Sequence, residues 1–385
     1  MRSNRRDFLQ FSLATGAVLA TPLSALARQA ATATKAPKKL RMLVFGGTGF
    51  IGPELVNYAL SRGHEVTLFN RGRTNTHLFP DLEKIVGNRD PSKDEGLKGL
   101  EGKTWDVVFD DNGYYPRHVK ASAEMLAKAG VDHYVYVSSV SAYASFAIDG
   151  QDEDAPAAKL EDATVETMGD QGQYYGGLKV LCEEAAEAAF PKGCTVVRPG
   201  YIVGPGDPTD RFTYWPVRIS RGGDAIIPGT AEDPIQVIDV RDLAEWMVLL
   251  AEARTLGVFN ACGPEKKLAW GTVIDACTKA CEKPAKVHWT SIEELQGEKV
   301  PPLPIWAPPQ GEERGVHTAS NARAIAAGLM FRPIQTTVSD TLAWFQELPP
   351  ERQKNCDASS KRGSCFAAPI TEAEEQRVLK ALGRI

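Results

Sequence analysis

Residues 42–52 read MLVFGGTGFIG, an apolar run followed by glycines at 46, 47, 49 and 52. The run has the composition of a fully buried strand, and GFIGPELVNYALSRG over 49–63 has the periodicity of an amphipathic helix. Gly46, Gly49 and Gly52 stand at the junction. The first permits a tight turn, the second lets backbone approach a pyrophosphate, and the third lets helix and strand lie close together. Amides at the start of such a helix face phosphate oxygens. Gly46, Thr48, Gly49, Phe50 and Ile51 are therefore candidate cofactor contacts.

The same alternation continues downstream. HEVTLFN (64–70), KIVGN (84–88), TWDVVFDD (104–111), HYVYVSSV (133–140) and CTVVRPGYIVGP (194–205) read as buried strands, with helices over 119–131 and 173–190. Strands alternating with helices predict an α/β fold with a doubly wound parallel Rossmann sheet. Residues 40–203 form the expected dinucleotide-binding domain, with 234–263 returning to it. Past Gly204 the chain becomes rich in Pro, Gly and aromatics, so 204–233 and 264–350 are assigned to a smaller C-terminal substrate lobe and 351–385 to a C-terminal extension. The acidic stretch 146–172 reads as a solvated loop.

In a doubly wound sheet, ligands sit beyond the carboxyl ends of the strands. The second strand ends FNRGR, where Asn70 replaces the acidic residue typical of an NAD pocket. Arg71 and Arg73 follow, and two guanidinium groups beside a ribose 2′ position favour NADP over NAD. Asn88 and Arg89 follow the third strand, and Asn112 the fourth, where the nicotinamide-side ribose would pass. The fifth ends VSSVSAY, and the helix at 173–190 opens YYGGLK. Tyr175 and Lys179, spaced i,i+4, share one helix face. A neighbouring ammonium favours the phenolate, so Lys179 would tune Tyr175, Tyr175 would transfer the proton, and Ser139 would hold the substrate oxygen.

GGTGFIG, VSSVSAY, YGGLK and RPGYIVGP together resemble the extended short-chain dehydrogenase/reductase superfamily, of the NAD-dependent epimerase/dehydratase kind, over roughly residues 40–345. The resemblance implies a Tyr-x-x-x-Lys pair at Tyr175 and Lys179, Ser139 in the serine role, and Pro199 and Ile202 beside the nicotinamide. It also places substrate contacts at Tyr143, Arg211, Tyr214, Trp215 and Gln236. GGTGFIG with GHEVTLFNRGR is similar to the atypical branch that includes chloroplast stem-loop RNA-binding proteins. DDNGYY replaces the usual hydrophobic-x-Ala-Ala after the fourth strand. The long interval from Ser139 to Tyr175 implies an extra loop over the site.

With 385 residues, 43% hydrophobic composition and a net charge of −5, the chain can build a large core and exerts no general pull on nucleic acid. Seven cysteines show no metal-ligand spacing, and no metal is expected. Cys356 and Cys365 flank DASSKRGS and would close a loop in an oxidising compartment. The N-terminus, NRRDFLQFSLATGAVLA followed by Ala25-Leu26-Ala27, reads as a twin-arginine-type signal over 1–27 with a linker over 28–39. Export to the periplasm through the twin-arginine machinery, without stable membrane association, is the expectation. That route carries folded proteins, so a tightly bound dinucleotide would travel inside the enzyme. The substrate is then an unactivated sugar or glycoside, oxidised, reduced or epimerised at a secondary alcohol. Two other readings stand beside it: an RNA-binding or nuclease-like scaffold, and a catalytically silent dinucleotide-binding protein.

Overall fold

The computed structural model describes residues 35–170, 172–356, 360 and 363–385. The expected signal at 1–27 and most of the linker lie outside the described residues.

The Rossmann half contains β1 (Arg41–Phe45), α1 (Ile51–Ser61), β2 (Glu65–Asn70), β3 (Glu83–Val86), β4 (Val107–Asp110), α2 (Pro116–Lys128), β5 (His133–Val137), α3 (Tyr175–Ala189) and β6 (Cys194–Pro199). The chain continues through β7 (Tyr201–Val203), α4 (Tyr214–Ser220), β8 (Asp224–Pro228), β9 (Pro234–Ile235), β10 (Val237–Asp239), α5 (Val240–Ala253) and β11 (Gly257–Ala261). Seven strands form one sheet in the order β11-β6-β5-β4-β1-β2-β3, and every neighbouring pair is parallel. Strand order reverses between β1 and β4, which opens a crevice at their carboxyl ends.

Both faces of the sheet are covered, which is why its strands are apolar without alternation. Met42, Val44, Phe109 and Val135 face a core shared with α1 and α5, and these two helices pack on each other. Leu43, Phe45, Val108 and Tyr136 face the core under α2 and α3. Asp239 caps α5, its side chain accepting from the Arg241 amide.

The second lobe has its own core. It adds β12 (Leu268–Ala269), α6 (Trp270–Lys279), β13 (Lys286–Thr290), α7 (Ile334–Gln346) and α8 (Glu372–Ala381). Trp215 lies edge-on to Tyr214 and Trp270. The expected C-terminal extension is not separate from this lobe: Phe366, Ile370, Val378 and Leu379 enter its core. There the buried Glu375 pairs with Arg218, and Cys356 is disulfide-bonded to Cys365.

The acidic insertion is strapped down rather than free in solvent. Gly315 donates to the Phe146 carbonyl at 2.5 Å and Ser320 to the Gln151 carbonyl at 2.8 Å. Glu153 accepts from the Asn260 amide at 2.8 Å. The first two bonds join the insertion to the loop 311–320, and the third ties it to β11. Among the described residues, no helix is long and apolar enough to cross a membrane.

Candidate active site

A cleft of about 1060 Å³ runs along the carboxyl ends of the strands, from the glycine turn past Ser139 and Tyr175 to Arg211 and Glu313. At its head, Gly46 (φ +102°) and Gly47 (φ +72°) adopt the left-handed region that favours glycine. A Cβ on Gly52 would lie 2.5 Å from the Gly47 Cα, so only glycine lets α1 start this close to the turn. A Cβ on Gly49 would meet nothing within 4 Å, since its open side faces the cleft. Gly46, Thr48, Gly49, Phe50 and Ile51 all line this wall. An open glycine turn ahead of a helix start is the donor arrangement that a dinucleotide pyrophosphate needs, and the residues present fit one.

The next wall comes from β2, β3 and β4. Asn70 is occupied in closing its own turn: its Nδ2 donates to the Gly46 carbonyl at 3.4 Å, and its Oδ1 accepts from the Gly72 amide at 2.9 Å. Arg71 and Arg73 are exposed at the rim with Asn88. Arg89 turns inward and holds Asp110 with both Nη atoms, at 2.6 and 2.8 Å. The same guanidinium donates to Asn112 Oδ1 at 2.9 Å and stacks on Phe45 at 4.2 Å. Tyr134 donates its hydroxyl to Asp110 as well, at 2.6 Å. Burial by itself would raise the Asp110 pKa, but the Arg89 guanidinium holds it below the usual carboxylate range.

Ser139, Tyr175 and Lys179 meet at the end of β5. Ser138 and Ser139 both border the cleft, but their hydroxyls are differently placed. Ser138 Oγ donates to Glu183, which is itself held by Arg198. Ser139 Oγ accepts from the Ser141 amide at 3.1 Å, and Ser139 and Tyr175 line the cleft together. Burial raises the Tyr175 pKa, while Ser139 and the charge of Arg211 pull it back. Lys179 sits one helical turn further along, its Nζ donating to the carbonyls of Val137 at 2.7 Å and Gly113 at 2.9 Å. Burial pushes its pKa down to about 8. Lys179 thus ties α3 to the ends of β4 and β5, and Arg211 supplies the positive charge that bears on Tyr175.

Pro199, Ile202, Arg211 and Gln236 also reach the cleft. Arg211 lies over the Tyr201 ring at 5.3 Å. Gln236 donates to the Ala319 carbonyl at 2.9 Å, and its buried Oε1 has no hydrogen-bond partner. Tyr143, Tyr214 and Trp215, expected as substrate contacts, are not brought to the cleft. Tyr143 is buried with its hydroxyl on Asn260 Oδ1 at 2.6 Å, and Tyr214 and Trp215 are consumed by the second core. Aromatic residues in a Pro/Gly-rich stretch serve either role, and packing chose the core. Asp111, Tyr114 and Tyr115 of the DDNGYY stretch and Tyr201, between Pro199 and Ile202, also line the cleft; Phe146 and Glu313 were not anticipated, and Glu313 comes from a distant loop that carries no local signal. His118 also borders the cleft, 3.6 Å from Asp90.

The chain matches the model of the "NAD dependent epimerase/dehydratase family" over residues 42–98 and 103–262. It is 28% identical over 287 residues to the chloroplast stem-loop binding protein of 41 kDa b from Arabidopsis thaliana, covering 69% of this chain and 70% of that protein. The Bordetella bronchiseptica enzyme WbmH, solved with NAD+, has a TM-score of 0.59 at 18% identity, covering 80% of this chain and 99% of WbmH. A UDP-glucose 4-epimerase from Thermus thermophilus, solved with NAD, has a TM-score of 0.55 at 18% identity, covering 80% of this chain and 99% of that one.

These findings correct the expected preference for NADP: the related structures are complexes with NAD. The physical reason lies at the rim. Arg71 and Arg73 are exposed, so water and salt screen their charge and they do not by themselves select a 2′-phosphate. A Rossmann sheet with an open glycine turn at its switch point, matched over more than half its length, belongs to the NAD dependent epimerase/dehydratase family.

Proposed function

We propose that this enzyme is an NAD-dependent oxidoreductase or epimerase of a sugar-like secondary alcohol, with Tyr175 as the proton-transferring group. The placement of Ser139 and Tyr175 together in the cleft beyond β5 carries this reading. NAD, when bound, supplies the acceptor for a hydride from the substrate carbon. Ser139 then orients the reacting oxygen, and Tyr175 takes or returns its proton. Lys179 holds the start of α3 against Val137 and Gly113, which fixes where the tyrosine hydroxyl lies. Tyr201 and Phe146 provide faces on which a sugar ring can rest.

Residues 40–203 with 234–263 form the dinucleotide half in this reading, and the remaining lobe closes on the substrate. Export is part of the proposal. The twin arginines at Arg5 and Arg6 support it, as does the Cys356–Cys365 disulfide, which belongs to an oxidising compartment. Free dinucleotide is scarce outside the cytosol, so the cofactor is held tightly and the redox cycle closes within the site. Unactivated sugars or glycosides suit that setting.

The test is to purify the mature chain, release any bound small molecule and identify it by mass. NAD is the expected result, and a protein that neither carries nor binds NAD ends the proposal. On an identified substrate, Tyr175→Phe is expected to lower kcat by about 100-fold or more while NAD stays bound; full activity in that variant removes Tyr175 from its role.

A further inference from the structure

Asp111 is the second carboxylate of the pair at the end of β4, and its surroundings are unusual for a carboxylate. It lines the cleft directly after β4. A Cβ built on Gly46 would lie 2.2 Å from Asp111 Oδ1, so the carboxyl is pressed against the first glycine of the turn. The other carboxyl of the pair, Asp110, takes both Nη atoms of Arg89 and the Tyr134 hydroxyl, while the buried Arg89 Nε has no hydrogen-bond partner. A negative charge is thus held beside the wall whose amides suit a dianionic pyrophosphate.

We propose that Asp111 is a proton-linked member of the cofactor site: it takes up a proton as the dinucleotide binds, and its hydroxyl then donates to the cofactor's anionic backbone. This rests on the proposed NAD site and adds a residue to it. An ionised Asp111 would repel the phosphates across a poorly solvated cleft, whereas the neutral acid turns repulsion into a donor. The groups facing it agree. Its own burial and the Asp110 charge raise its pKa, and Arg89 after β3, the Gly47 amide and Lys179 on α3 oppose them, leaving it at about 7. His118 from α2 and Arg71 and Arg73 after β2 border the same cleft. Lys179 and His118 also lose charge as pH rises and would weaken anion binding in the same direction, so a pH effect must be isolated at Asp111 itself.

The experiment is NAD titration calorimetry on the full protein, freed of bound cofactor, at about pH 6 and about pH 8, in buffers of different ionisation enthalpy. Asp111→Asn, a neutral isostere, is measured beside it. In the parent, NAD binding is expected to take up a proton at the upper pH. Asp111→Asn should bind like the parent at about pH 6 and about tenfold more tightly at about pH 8, the factor that one linked group titrating near neutrality produces. If the parent binds NAD without proton uptake, the proposal is overturned, and that result needs no variant to fold. Weaker binding by Asp111→Asn at both pH values also overturns it, because the carboxylate would then be accepting from the cofactor. Absence of NAD binding at either pH sinks the NAD site as well, which separates the two failures.

Discussion

The pair Ser139 and Tyr175 shows how much one neighbour decides. Burial penalises the phenolate, and Ser139 favours it. Removing the serine hydroxyl with Ser139→Ala therefore raises the Tyr175 pKa further. The alkaline limb of the kcat pH profile is expected to move to higher pH, with kcat falling by about 100-fold at neutrality, the scale of losing one oriented donor. A pH–rate profile that keeps its limb in place shows that Tyr175 is not the titrating group. Ser138→Ala tests the neighbouring serine: its hydroxyl belongs to Glu183, so the change acts on stability and leaves the profile unmoved.

At the scale of elements, the junction of β1 and α1 is the tightest constraint. The 2.5 Å between the Gly47 Cα and a hypothetical Cβ on Gly52 leaves no room for even a methyl group. Gly52→Ala must push α1 outward, away from the cofactor wall and into α5. It is expected to destabilise the fold by about 1–3 kcal/mol and to weaken NAD binding, measured by chemical unfolding and titration. Unaltered affinity and stability there would show that the turn relaxes freely. The position of Lys179 is a second outcome of this scale. One helix start, two strand ends and two backbone carbonyls fix it, and no single element contains that information.

For the whole molecule, buried histidine links stability to acidity. Burial, with the Arg254 charge adding to it, pushes the His133 pKa down to about 4 from 6.5. Between those values the unfolded chain binds more protons than the folded one, so stability is intact above about pH 6.5 and declines as pH falls toward about 4. His133→Gln should show a shallower loss of urea midpoint between about pH 7 and about pH 5; an unchanged slope assigns the acid sensitivity elsewhere. The disulfide acts on the other lobe. Cys356 and Cys365 are 9 residues apart in sequence, and closing so short a loop stabilises by about 2–3 kcal/mol at most. Reduction is expected to lower the melting temperature by a few degrees while NAD affinity stays constant, because Phe366 packs in the lobe core rather than on the cofactor cleft.

MLVFGGTGFIG determined the parallel sheet and the place of the cofactor turn, because strand burial, helix periodicity and glycine sterics are local properties of adjacent residues. The positions of the serine, tyrosine and lysine follow for the same reason, each at a strand end or on one helical face, while their roles belong to the proposed function. Tertiary structure decided what depends on residues far apart in the chain. Tyr214 and Trp215 went to a core completed by Trp270 and Phe366, and Glu313 entered the cleft from a loop tied to the insertion. The charges of Arg71 and Arg73 suggested a phosphate partner, but the fold leaves both exposed at the rim, where water screens them. Local pattern reports what a segment can bury; only the assembled field and packing decide what its side chains face.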